Sequence, residues 1–105
     1  MNFGNAAIAD NRSLVRDEVH YRARAYGPDA QPLSLLIVNM SALGMMARCD
    51  RDIPEGARLR VTLPIVGVVL AEVRWCLGGR MGCELDRPID LADYYELLAA
   101  LIKGR

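Results

Sequence analysis

The sequence predicts a mainly β protein, a six-stranded antiparallel barrel followed by one C-terminal α-helix, and three observations predict it. Between residues 19 and 85, apolar residues recur mostly with the period of two expected of a strand that buries one face. The segments are short and are separated by clusters of Gly, Pro and Asp, which supply turn geometry. Only after Asp90 does the period lengthen to three and four. Six strands at this spacing favour closure, because a flat sheet leaves two edges of unpaired backbone groups.

The first strand is "VHYRARAY" (19–26), with Val19, Tyr21, Ala23 and Ala25 on one face and His20, Arg22, Arg24 and Tyr26 on the other. "GPDAQP" (27–32) turns the chain into a second strand, Leu33 to Val38, which "NMSALG" (39–44) interrupts. "MMARC" (45–49) is a short third strand, and the polar "DRDIPEG" (50–56) connects it to "ARLRVTL" (57–63), which exposes Arg58 and Arg60 and buries Leu59, Val61 and Leu63. A long fifth strand, "VGVVLAEVRWC" (66–76), leads through "LGG" into a sixth, "RMGCEL" (80–85). Pro88 and Asp90 start the helix and Gly104 stops it. Its apolar stripe is Leu91, Tyr94, Tyr95, Leu98, Leu101 and Ile102, which packs on the barrel or serves as a dimer or partner surface. The expected organisation is a tail over 1–10 and one domain over 11–105, with the barrel at 19–87 and the helix at 90–103.

The 105 residues suffice for one hydrophobic core without disulfide or metal support. Thirteen basic residues balance thirteen acidic ones, so no general field draws in a nucleic acid polymer or an anionic membrane, and any anion site must be local. Twelve of the basic residues are arginine, a bias that a GC-rich genome also produces. Cys49, Cys76 and Cys83 are odd in number and sit in apolar segments without metal-ligand spacing, so they read as buried thiols of a reducing compartment. The N-terminus lacks a basic, then apolar, leader, and the longest nearly apolar run, Leu63 to Ala71, is far short of the roughly 20 residues of a membrane helix. A cytoplasmic protein without membrane insertion is expected.

Catalysis requires a nucleophile with its base, paired carboxylates in a cleft, or a metal. His20 is the only histidine and has no partner at metal-ligand spacing, and neither a G-x-S-x-G elbow nor a P-loop occurs. The glycines of "GGRMG" (78–82) suit a hairpin and close strand packing rather than a phosphate loop. A non-enzymatic protein without cofactor or metal is the expectation.

One constellation stands out. Arg12 and Arg16 form R-x-x-x-R ahead of the first strand, and Asn39, Ser41 and Gly44 form N-x-S-x-x-G between the second and third. The pair, in this order around one hairpin, resembles the PilZ domain, a bacterial family whose ligand is the second messenger cyclic di-GMP. The resemblance covers residues 12 to about 87, extending through "IPEGARLRVTLPI", "AEVRWC" and "GGRMGCEL". It implies a PilZ-type barrel whose N-terminal loop, expected over residues 10–18, changes conformation on ligand binding and so signals to an unidentified downstream effector protein, controlling motility, exopolysaccharide synthesis or a related behaviour.

The chemistry of these residues is compatible with that ligand. A guanidinium fork meets either the O6/N7 edge of guanine or a phosphate, which a lysine point charge does not. Arg12 and Arg16, on a loop, can close around a compact ligand from two sides. Asn39 offers a carbonyl to guanine N–H donors, Ser41 a hydroxyl, and Gly44 either a positive φ or room for the backbone to approach a flat base. Arg48, on the outward side of the third strand, and Trp75, as a stacking platform or a barrel residue, are secondary candidates. The sequence departs from the family at Asn11, where many members that bind an intercalated ligand pair carry a further arginine, so a single ligand molecule is expected. Read without the resemblance, Asn39, Ser41 and Gly44 make an Asx-type turn and the arginines are solvated charges beside Asp10, Asp17 and Glu18. Three alternatives compete with the receptor: a PilZ-like adaptor that binds protein but no nucleotide, a small barrel for single-stranded nucleic acid, which the zero net charge disfavours, and an enzyme, which would require a nucleophile or metal that the sequence does not offer.

Overall fold

Alternation at 17–85 produces six strands, and the computed structural model of the protein describes residues 16–103. The strands are β1 (Asp17–Tyr26), β2 (Pro32–Met40), β3 (Gly44–Arg48), β4 (Arg58–Leu63), β5 (Gly67–Leu77) and β6 (Arg80–Leu85), followed by the helix α1 (Leu91–Lys103). They form the expected closed antiparallel barrel, in the order β1-β2-β3-β6-β5-β4. Closure between β1 and β4 rests on two pairs, Ala25↔Val61 and Tyr26↔Arg60. Arg12 and Asn11 lie outside the described residues.

Register explains which residues fill the interior. Met40, Met45, Cys83 and Val73 are successive partners across β2, β3, β6 and β5, and all four point inward and are buried. With Leu35, Ile37, Leu59, Val61 and Met81 they form one core. The cysteines only partly match expectation. Cys49 and Cys83 are buried, whereas Cys76 is half-buried near the end of β5, and all three are free thiols.

The second strand runs two residues further than the apolar pattern suggested. Asn39 and Met40 pair with Met46 and Met45, so the interruption shrinks to Ser41–Leu43. Likewise β1 begins at Asp17, paired with Met40, so Asp17 and Glu18 belong to the sheet two residues ahead of the expected first strand.

In the helix the buried stripe is Tyr94, Leu97 and Leu101, while Tyr95 and Ile102 are exposed. The stripe is thus rotated from the one predicted. Tyr94 sets the orientation: its hydroxyl donates to Asp17 Oδ2 at 2.6 Å and to the Met40 carbonyl at 3.0 Å. Those bonds place the 94/97/101 face on the barrel at β1 and turn Tyr95 outward.

Candidate functional site

On the outer face of the barrel another set of cross-strand partners runs through Asn39 on β2, Met46 on β3, Gly82 on β6 and Trp75 on β5. Two irregularities bring them into one row. A register shift between Ile37 and Asn39 turns Asn39 outward, and another between Val73 and Trp75 inserts Arg74 as an extra residue of β5. Strict alternation from buried Ala71 and Val73 would send Trp75 into the core. The bulge instead leaves Arg74 and Trp75 both on the surface, with Trp75 41% exposed.

Trp75 packs over Gly82, where a side chain is excluded. A Cβ built on Gly82 would fall 2.2 Å from indole Nε1 and 2.6 Å from Cε2. The glycine therefore makes room for the ring, which stands as a wall beside a depression of about 310 Å³.

Ser41 and Gly44 form the floor's other margin. The Ser41 N–H donates to the Gly44 carbonyl at 2.9 Å, and the Leu43 N–H donates to Ser41 Oγ at 3.2 Å. Ser41 is buried and caps its own turn, in agreement with the turn reading of the motif. The turn is tied down at both sides, since the Leu85 N–H donates to the Leu43 carbonyl and the Ile89 N–H to the Ala42 carbonyl. Gly44 needs no positive φ. It is required because a Cβ there would meet the Cys83 carbonyl oxygen at 2.4 Å, so close approach of β6, rather than of a base, accounts for it.

Arg16 reaches this margin from the start of β1. Its Nη1 donates to Asn39 Oδ1 at 3.0 Å, and the Asn39 amide points its Nδ2 at Met46 Sδ, 3.6 Å away. Residues separated by 23 positions in sequence are thereby joined. Arg16, Ser41, Gly44 and Trp75 all line the depression, and Asn39 borders it through Arg16.

Arg48 does not join them. It lines a separate depression of about 360 Å³ with Arg22 and Leu36. Sequence reasoning in turn missed Arg74, Gly82 and Glu84 as residues of the site. The bulge that exposes Arg74 leaves no mark in the apolar pattern, whereas the Gly in "RMGCEL" was a visible signal for a tight approach.

Electrostatically the depression holds the cations Arg16 and Arg74 and the carboxylate Glu84. Arg74 Nη1 lies 3.4 Å from Glu84 Oε1 and 3.8 Å from Glu72 Oε2. Cys83, also in the lining, has its thiol pushed up to about 12, chiefly by burial and further by Cys76 and Cys49. It is a neutral thiol at physiological pH and no nucleophile. Among the described residues no group of three His, Cys, Asp or Glu is placed to hold a metal ion, and no helix is long and apolar enough to cross a membrane. The site offers guanidinium forks, backbone and hydroxyl groups and an aromatic ring, a set suited to binding a flat anionic molecule.

A larger depression, about 640 Å³, lies elsewhere on the barrel and is lined by exposed Tyr26, Val68 and Leu70 beside Arg58 and Arg60. Arg58 is ion-paired with Asp86. No protein-family model matches the chain, and no curated protein matches it.

Proposed function

We propose that the protein is a receptor for cyclic di-GMP, a PilZ-type domain that takes the ligand on the outer barrel face between Arg16 and Trp75. The observation that carries this reading is the convergence of Arg16, Ser41, Gly44 and Trp75 on one depression, with Asn39 held by Arg16. Their residue types match the ligand: a fork for phosphate or the guanine O6/N7 edge, a carbonyl for guanine N–H groups, and an indole for stacking.

The geometry also suggests how binding is signalled. The Asn39 carbonyl oxygen accepts Arg16, so a guanine edge that takes this oxygen displaces the guanidinium toward the ligand. Arg16 is adjacent to Asp17, which anchors α1 through Tyr94. A ligand that favours the displaced arginine thus changes the surface at the start of β1 and gives a downstream protein a different face to read. The exposed apolar residues Tyr26, Val68 and Leu70 favour protein docking as the output, and docking without nucleotide is the second reading.

Trp75 is the chain's only tryptophan, so its fluorescence reports directly on the site. Titration with cyclic di-GMP is expected to change its emission saturably, and GTP at the same concentrations is not. An emission indifferent to both nucleotides, with no binding detected by dialysis, contradicts the receptor reading.

A further inference from the structure

We infer that Arg74 is a second cation of this site, stored on Glu84 and Glu72 and released to a ligand phosphate; the inference rests on the cyclic di-GMP reading. The β5 bulge places Arg74 beside Trp75 on the surface instead of giving the face to one side chain alone. Arg74 and Arg16 line the same depression from its two sides, one from β5 and the other from the start of β1. A cyclic dinucleotide with two phosphodiesters presents two anionic groups, each able to accept a guanidinium fork.

The carboxylates that hold Arg74 hold it weakly. Its side chain is 58% exposed, and those of Glu84 and Glu72 are 60% and 36% exposed. Pairs this open to water are worth little and exchange readily for a better anion. Glu84 and Glu72 are cross-strand partners on the same outward row, which brings two like charges together. Arg74 offsets that repulsion, and its contacts at 3.4 and 3.8 Å are longer than a well-formed charge-assisted hydrogen bond. The ligand therefore competes with the protein's own carboxylates for one arginine, and Glu84, itself in the lining, sets the strength of that competition.

The test is a double-mutant cycle on cyclic di-GMP affinity with wild type, Arg74→Ala, Glu84→Gln and the double variant, all at surface positions that leave the core intact. Arg74→Ala is expected to weaken binding about tenfold, the loss of one charge-assisted contact. Arg74→Lys, which keeps the charge but not the fork, should fall between. Glu84→Gln is expected to tighten binding about two- to fivefold, the scale of an exposed ion pair. That gain should vanish in the Arg74→Ala background, which repulsion by Glu84 alone would not produce. A wild type that binds, with Arg74→Ala binding equally well or the Glu84→Gln gain undiminished in the double variant, overturns the role of Arg74 and leaves the receptor intact. A wild type that does not bind overturns the receptor reading and this inference with it.

Discussion

The indole of Trp75 occupies the space in which any side chain at Gly82 would have to begin, 2.2 Å from the missing Cβ to Nε1. The aromatic wall of the site is therefore positioned by an absence of atoms on the neighbouring strand. Gly82→Ala forces the ring to move or β6 to shift. The expected result is a change in Trp75 emission and in its quenching by acrylamide without ligand, a stability loss of about 1–3 kcal/mol, and weaker cyclic di-GMP binding. Unchanged quenching would show that the ring has another support.

Gly44 behaves differently because what opposes it is backbone. A Cβ at 2.4 Å from the Cys83 carbonyl cannot be relieved by rotating a side chain. Gly44→Ala is expected to lower the thermal unfolding midpoint by an amount equivalent to about 1–3 kcal/mol or more, with the loss present whether or not ligand is added. A variant with wild-type stability and impaired binding would instead assign Gly44 to ligand approach.

Tyr94 joins α1 to the barrel through Asp17 and the Met40 carbonyl. Tyr94→Phe is expected to cost about 1–2 kcal/mol in urea unfolding, the value of a hydrogen bond to a charged group with partial compensation by water. Burial first, and then the bond to Asp17, raise the phenol above its ordinary value of 10. Its raised folded-state value means that this contribution is complete below pH 10 and is lost as pH rises through the folded value. The stability difference between wild type and Tyr94→Phe should hold at neutral pH and narrow in strongly alkaline solution. A difference that widens there would reverse the sign of the linkage.

The barrel was legible because its interior is written in period two and its turns in Gly, Pro and Asp, and each of the six strands fell close to its expected place. Part of the depression's lining was anticipated for a different reason: Arg16, Ser41, Gly44 and Trp75, with Asn39 beside them, stand out through the resemblance of their motifs to a known family, whereas their spacing alone reads as a turn beside solvated charges. Arg74 was not anticipated, because a bulge changes which side of a strand a residue faces without changing the residues themselves. The helix stripe shifted for a related reason: Tyr94 and Tyr95 are equally apolar by pattern, and only the partners of the Tyr94 hydroxyl decide which of them turns inward.

Arg48 lies in a different depression from Arg16, with Arg22 and Leu36 for neighbours. Arg48→Ala is therefore expected to change cyclic di-GMP affinity by less than about threefold, the scale of a long-range screened charge, while Arg16→Ala abolishes most of it. Comparable losses in the two variants would extend the site along β3.

The proposed role of Arg16 as a clamp for cyclic di-GMP is decided by calorimetric titration of that nucleotide into wild type and Arg16→Ala, with GTP as the control ligand. Saturable binding by the wild type, lost in Arg16→Ala and absent with GTP, is the predicted result. Absence of heat at several temperatures with folded wild type, or equal binding by a folded Arg16→Ala variant, would contradict it.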